Sequence, residues 1–170
     1  MKLTEQIHRI QEVMGITEIR DKFLKFLIDD NPNVPEYVIK DLFYPSFKDN
    51  PQSIYNDNND WYDVLQEWEW ELHKDVRITM DMFDEHSKNR FRERLESEED
   101  IHVPNDKKRH AKQRELILQR GIPQEPIIIG HSEDEPGKYG MWEGWHRLTQ
   151  LFKIYPEGFI YPNVYIGSTH

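Results

Sequence analysis

Five consecutive residues near the C-terminal end of the chain combine the residue types that phosphate chemistry requires: Glu143, Gly144, Trp145, His146 and Arg147. A glycine between a strand and a helix leaves backbone N–H groups at the positive end of the helix dipole, which attracts anions. Arg147 can hold a phosphate with two hydrogen bonds, and His146 can exchange a proton near neutral pH. Glu143 can bind Mg²⁺ or accept a proton from a substrate hydroxyl. The pattern predicts metal-assisted phosphate chemistry, with Glu143 and His146 as catalytic residues.

The same five residues also have a purely structural interpretation. Trp145 can pack in the core, His146 can cap the helix, and Arg147 can pair with Glu143 at the surface. Because a motif of five residues is weak, its spacing alone leaves both interpretations open.

A second set of candidates precedes this motif. Arg109, His110 and Arg114 fall on a predicted helix over residues 105–120, where His110 and Arg114 lie one turn apart on a common face. We interpret these three as secondary phosphate ligands. The alternative is a solvated basic face.

Two further groups of residues have side chains that could bind a metal or a ligand. Asp81, Asp84 and His86 could hold a metal, although Asp84 stands where a helix N-cap is expected. Trp68 and Trp70 could stack on a base, but their alternation with glutamates predicts that both tryptophans and Leu72 share the buried face of a strand over residues 67–72.

The elements that must position the motif follow from periodicity and turn residues. Residues 126–129 and 139–143 are predicted to form a hairpin-like pair of strands, which is followed by a helix over 145–155 and a closing strand over 162–167. Helices are predicted over 84–95 and 105–120. We expect Leu116, Ile117 and Ala111 to provide the apolar contact of the second, which Gly121 ends in a left-handed conformation.

The N-terminal part is predicted to be a helical layer. Apolar residues recur at helical spacing over 3–14, a second helix ends at Asn31 and Pro32, and a third runs from Pro35 to Leu42. Residues 46–60 are rich in Pro, Asn, Asp and Ser, which is typical of a loop. We therefore predict an α+β protein with a small mixed sheet: a helical segment over 1–45, a loop over 46–60 and an α/β domain over 61–170.

Composition narrows the possible functions. The net charge of −10 makes duplex DNA an improbable partner. The absence of cysteine excludes disulfides, thiolate zinc sites and a cysteine nucleophile. No signal peptide or membrane span is evident, so we expect a soluble, cytoplasmic protein, in the host cytoplasm if a phage encodes it.

The stretches GIPQEPIIIG, GKYGMWEGWHRLTQLFK and YPNVYIG resemble the ParB/sulfiredoxin superfamily over residues 121–167, and less specifically from 103. The resemblance implies a compact α/β fold, of a type found in phage and bacterial genomes, whose helix N-terminus after the glycine binds nucleotide phosphates. It implies Gly144, Trp145, His146 and Arg147 as phosphate ligands. Sulfiredoxins carry a cysteine where this chain has Trp145, which excludes sulfinic-acid repair.

The motif and the resemblance together predict a nucleotide-dependent phosphotransferase or a nucleotide hydrolase. Its cofactors would be Mg²⁺, bound by Glu143, and ATP, ADP or CTP, and its partner a nucleotide or small phosphorylated molecule. One alternative is a non-catalytic interaction module that docks a protein through residues 1–15. Another is a ParB-like nuclease, which the acidic composition disfavours.

Overall fold

The computed structural model describes residues 16–49, 61–97 and 105–169. Helices and strands are interspersed along these residues and the strands form one mixed sheet, so the predicted α+β class is confirmed. In chain order the elements are α1 (Ile16–Asp30), α2 (Glu36–Val38), a π-helical turn (Ile39–Phe43), α3 (Tyr44–Phe47), α4 (Trp61–Glu67), β1 (Trp68–Ile78), a 3₁₀ turn (Met80–Met82), α5 (Glu85–Ser97), α6 (Asp106–Arg120), β2 (Ile127–His131), β3 (Tyr139–Glu143), α7 (Trp145–Ile154) and β4 (Phe159–Thr169).

The described residues divide between two compact units. One contains the residues up to Trp70 together with Thr169, and the other is Glu71–Ser168. The predicted 46–60 loop begins later than expected, because Pro45 fits the first turn of α3 and the helix continues to Phe47. Residues 50–60 and the predicted helix over 3–14 lie outside the described residues.

The first unit is built from packed helix faces. Helix α1 buries Phe23 and Leu27, and the π-helical turn buries Ile39 and Phe43. The side-chain amide of Asn31 donates to the carbonyl of Leu27 at 2.8 Å and ends α1 where the sequence predicted.

Strand β1 confirms the predicted strand and extends it to Ile78. Trp68 and Trp70 are buried as expected, with ring centroids 6.0 Å apart. The prediction for Leu72 was wrong, since 44% of this residue is exposed. Period-two alternation assumes that one face is covered along the whole strand, whereas residues 71–75 of this edge strand are exposed on both faces.

The sheet has the strand order β1-β4-β2-β3. Strands β2 and β3 pair antiparallel, with Ile129 opposite Met141, which confirms the predicted pair. Strand β4 is parallel to β2, with Ile127 opposite Val164. A parallel neighbour requires a crossover, which α7 provides.

Helix α7 buries its apolar side against a core formed with the sheet and α5. The buried members of this core are Ile78, Phe83, Phe91, Ile117, Ile127, Ile129, Met141, Trp145, Leu148, Leu151, Phe152, Phe159, Tyr161 and Val164. None of the helices in the described ranges combines the length and the apolar composition needed to cross a membrane.

Local hydrogen bonds fix the ends of α5 and α6. Asp84 accepts from the backbone N–H of Ser87 at 2.9 Å, which confirms the predicted N-cap and gives this carboxylate a structural role. The hydroxyl of Ser87 accepts from the N–H of Met141 at 2.9 Å and so ties α5 to β3. At the end of α6, Gly121 has a positive φ of 81° and donates to the carbonyl of Ile117 at 2.8 Å, but its ψ of −160° lies outside the left-handed cap conformation that was predicted.

Candidate functional site

Three polar side chains meet where α6 packs against α7. Asp106 and His110 lie one turn apart at the start of α6, and His146 lies in the first turn of α7. The spacing of four residues places Asp106 and His110 on one helix face, and both are buried. The expectation for the apolar contact of α6 was only partly right. Ile117 is buried as expected, whereas Ala111 is exposed. The other buried residues of α6 are the polar Asp106 and His110.

The three side chains point their polar atoms at one another. Oδ1 of Asp106 contacts Nε2 of His146. Oδ2 of the same carboxylate lies 3.5 Å from Nε2 of His110, and the two imidazole centroids are 4.8 Å apart. One oxygen and two ring nitrogens therefore converge within 4.8 Å. We call this group the Asp106–His110–His146 cluster.

Two atoms of the cluster are buried and have no hydrogen bond. They are Oδ2 of Asp106 and Nε2 of His110, which face each other. A buried polar atom without a hydrogen bond costs about 1–3 kcal/mol, so two at one point require compensation. A cation between them would provide it, because carboxylate oxygen and imidazole nitrogen are both metal ligands.

The other nitrogen of His110 contacts a side chain of α7. Its Nδ1 lies 3.2 Å from Nε2 of Gln150, a residue that is also fully buried. The amide oxygen of Gln150 accepts from Nε of Arg114 at 2.9 Å. These contacts orient the His110 ring, with its Nδ1 facing the amide nitrogen of Gln150.

The electrostatic environment keeps both histidines neutral at pH 7. Burial lowers the pKa of His110 to about 4, with His146, Arg94 and Lys153 acting in the same direction and Asp106 opposing them. Burial also lowers the pKa of His146, while the hydrogen bond to Asp106 raises it. Neutral imidazole is the form that binds metal ions.

The lowered pKa of His110 predicts an acid-sensitive fold. Between its ordinary value of 6.5 and about 4, the unfolded chain binds a proton at this residue and the folded chain does not. The free energy of unfolding therefore rises with pH across this window, and the stabilisation present above pH 6.5 is lost as the pH falls. We expect His110 to account for about 2–3 kcal/mol between pH 7 and pH 4.5.

Urea unfolding in EDTA at both pH values tests this expectation. The His110→Asn variant should show a smaller difference in unfolding free energy between the two pH values than the wild type. His86→Asn, at an exposed position, should keep the full difference. An equal difference in all three proteins would show that His110 titrates normally in the folded state.

The five residues of the predicted motif, 143–147, do not form one site in the structure but lie in different surroundings. Trp145 is almost buried, 4.8 Å from Phe91 between ring centroids, and the guanidinium carbons of Arg90 and Arg94 lie 4.5 and 5.2 Å from its ring centroid. This arrangement agrees with the packing interpretation of Trp145.

Arg147 is also nearly buried, with an exposed fraction of 7%. Its guanidinium donates to the carbonyl of Glu125 at 3.0 Å and hydrogen-bonds Tyr161. This side chain therefore anchors α7 to the segment before β2. Its predicted role as a phosphate ligand stays a prediction, and its burial leaves little of the guanidinium exposed to a ligand.

Gly144 serves packing as well as turn geometry. Its φ is 108°, and an added Cβ would lie 2.6 Å from Cγ2 of Ile127. Glu143, the predicted Mg²⁺ ligand, ends β3. Among the described residues, the group of possible metal ligands that converges is the Asp106–His110–His146 cluster, and it does not include Glu143.

All three secondary candidates interact with the cluster. His110 belongs to it, Arg114 reaches it through Gln150, and the charge of Arg109 lowers the pKa of His146. The sequence interpretation missed Asp106, because an acidic residue at a helix start is explained by the dipole alone. The available signal was the spacing Asp106-x-x-x-His110, which suits two ligands on one helix face.

No known family, curated protein or solved structure matches the chain. The fold and the site define it as an α+β protein with a buried carboxylate–imidazole cluster between two packed helices.

Proposed function

We propose that this protein is a metal-dependent enzyme that acts on a phosphate ester, as a hydrolase or a phosphotransferase, in the cytoplasm. Its substrate would be a nucleotide or another small phosphorylated molecule. The observation that carries the proposal is the Asp106–His110–His146 cluster, in which two buried atoms without hydrogen bonds face each other.

The donor set supports a metal centre of the catalytic type. Two imidazoles and one carboxylate are three protein ligands, which leave a coordination position for water or substrate. Imidazole nitrogen favours Zn²⁺ and similar ions over Mg²⁺, so the cluster fits Zn²⁺ better than the Mg²⁺ predicted at Glu143. A bound Zn²⁺ would lower the pKa of its water and polarise a phosphoryl oxygen.

The surrounding charges support an anionic substrate. Arg94 and Lys153 act on His110, and Arg94 and Arg109 act on His146, although the chain as a whole carries a net charge of −10. Local positive charge favours phosphate over neutral substrates. The same charges weaken binding of a cation alone, so we expect metal and phosphate to bind more tightly together than separately.

The resemblance to the ParB/sulfiredoxin superfamily stays a prediction and is compatible with a nucleotide substrate. The nuclease alternative is tested by including DNA among the substrates. The interaction-module alternative depends on residues 1–15, which lie outside the described residues.

The proposal is tested with EDTA-treated, full-length protein. Titrations with Zn²⁺, Mn²⁺ and Mg²⁺ by calorimetry should show one site with a preference for Zn²⁺. Hydrolysis of p-nitrophenyl phosphate, ATP, ADP and CTP should then depend on the metal, with single- and double-stranded DNA as further substrates. His110→Asn should lose both metal binding and activity, whereas His86→Asn should keep both. Failure of every metal to bind would refute the proposal.

A second candidate is supported by one contact. Asp106 holds Nε2 of His146, and the His146 side chain is 20% exposed. Such a pair can act as a general base without a metal, because the carboxylate orients the ring and stabilises its protonated form. Phosphate-ester hydrolysis that survives EDTA and is lost in His146→Gln would favour this candidate over the metal centre.

A further inference from the structure

We propose that Gln150 is a positioning residue whose amide must reverse when His110 binds a metal, and that this reversal releases Arg114 from Gln150. The inference rests on the metal site proposed above. It starts from three side chains that form a continuous line of contacts: Arg114 to Gln150 at 2.9 Å, and Gln150 to His110 at 3.2 Å.

Arg114 fixes the orientation of the Gln150 amide. A guanidinium only donates hydrogen bonds, so the atom that faces its Nε must be the amide oxygen. The amide nitrogen of Gln150 therefore faces Nδ1 of His110. Since this nitrogen only donates, Nδ1 must accept.

The tautomer of His110 follows from this contact. Neutral imidazole carries one ring hydrogen, so an accepting Nδ1 places the hydrogen on Nε2. That nitrogen points toward Oδ2 of Asp106 at 3.5 Å, a contact that does not meet hydrogen-bond geometry. A nitrogen that carries a hydrogen has no electron pair for a metal.

The metal-bound state requires the opposite arrangement. Nε2 of His110 must present its electron pair, which moves the hydrogen to Nδ1, and Nδ1 then needs an acceptor. Rotation of the Gln150 amide by half a turn brings its oxygen to His110. The amide nitrogen would then face Nε of Arg114, and two donors repel each other. Metal binding is therefore coupled to loss of the Arg114–Gln150 hydrogen bond.

Gln150→Glu separates this coupling from the packing role of the side chain. A carboxylate accepts from Arg114 and from Nδ1–H of His110 at once, so no reversal is needed. We expect the Zn²⁺ affinity to increase about 10–100-fold, the range by which outer ligands affect metal sites. A purely structural role for Gln150 predicts a weaker affinity.

A second pair of variants keeps the test decisive if the core tolerates Gln150→Glu poorly. Arg114→Gln removes the donor that opposes reversal and should raise the Zn²⁺ affinity about tenfold, in the range expected for a competing charged hydrogen bond. Arg109→Gln removes the same charge near His146 without touching Gln150. An equal gain in both variants would attribute the effect to charge and overturn the coupling.

The tautomer itself is measured without a metal. Two-bond ¹H–¹⁵N spectra of EDTA-treated protein should show His110 with its hydrogen on Nε2, and addition of Zn²⁺ should move the hydrogen to Nδ1. A hydrogen on Nδ1 in the metal-free protein would overturn the inference. If the tautomer is as expected but no variant binds Zn²⁺, the metal site and its coupling fail while the Gln150 orientation stands, so the two failures are distinguishable.

Discussion

Asp106→Asn is expected to reduce Zn²⁺ affinity by at least about 100-fold. Asp106 provides the negative charge of the cluster, and without it a cation would face two neutral imidazoles and the positive charges of Arg94, Arg109 and Lys153. Removal of an outer ligand typically costs 10–100-fold in metal affinity, so a direct ligand should cost more. Asparagine keeps the size of the side chain and replaces one acceptor oxygen with a donor amide.

The measurement is calorimetric titration of EDTA-treated protein with Zn²⁺, together with the rise in melting temperature at saturation. For the wild type, Zn²⁺ at 100 times its dissociation constant stabilises the fold by about 2.7 kcal/mol, and the variant should lose most of this gain. Asp134→Asn is the matched control, because it removes the same charge from an exposed position. Equal Zn²⁺ binding in the two variants would show that the cluster is not the metal site.

Activity should follow metal binding in Asp106→Asn if the metal centre is the catalytic group. The metal-free alternative also predicts loss of activity in this variant, because His146 would lose the carboxylate that orients it. The two hypotheses differ in the wild type, where EDTA abolishes activity only in the first. Asp106→Asn combined with EDTA treatment of the wild type therefore separates the role of the carboxylate as a ligand from its role beside a general base.

Several features of the fold could be predicted because their signals are local. Asp84 caps α5 and Gly121 ends α6, and each depends on a few neighbouring residues. The alternation that buries Trp68 and Trp70 is similarly local. Leu72 fails because its exposure depends on what covers β1, which the sequence of β1 does not encode.

The candidate site could be predicted only in parts. His110 and His146 were both among the candidate site residues. Their convergence could not be predicted, because it depends on how α6 packs against α7 and the two histidines are 36 residues apart in the sequence. The pentapeptide was interpreted as one site, whereas consecutive helical residues point about 100° apart. His146 therefore faces α6 while Arg147 faces Glu125.

Gly144→Ala is expected to destabilise the fold by about 2–5 kcal/mol without any ligand present. Two costs add. Alanine at a φ of 108° is strained by about 1–2 kcal/mol, and its Cβ would lie 2.6 Å from Cγ2 of Ile127 and 3.2 Å from Cε of Met141. Overpacking of a buried site typically costs another 1–3 kcal/mol. Ile127 is completely buried on a central strand, so it has little room to move.

Gly137→Ala isolates the packing cost. Its φ of 84° is also positive, but an added Cβ would meet nothing within 4 Å. The difference in unfolding free energy between the two variants, from urea denaturation in EDTA, should therefore report the clash with Ile127. In a double-mutant cycle, Ile127→Ala should reduce the cost of Gly144→Ala, because it removes the methyl group that the new Cβ meets. Equal costs for the two glycine variants would mean that backbone conformation alone requires glycine at position 144.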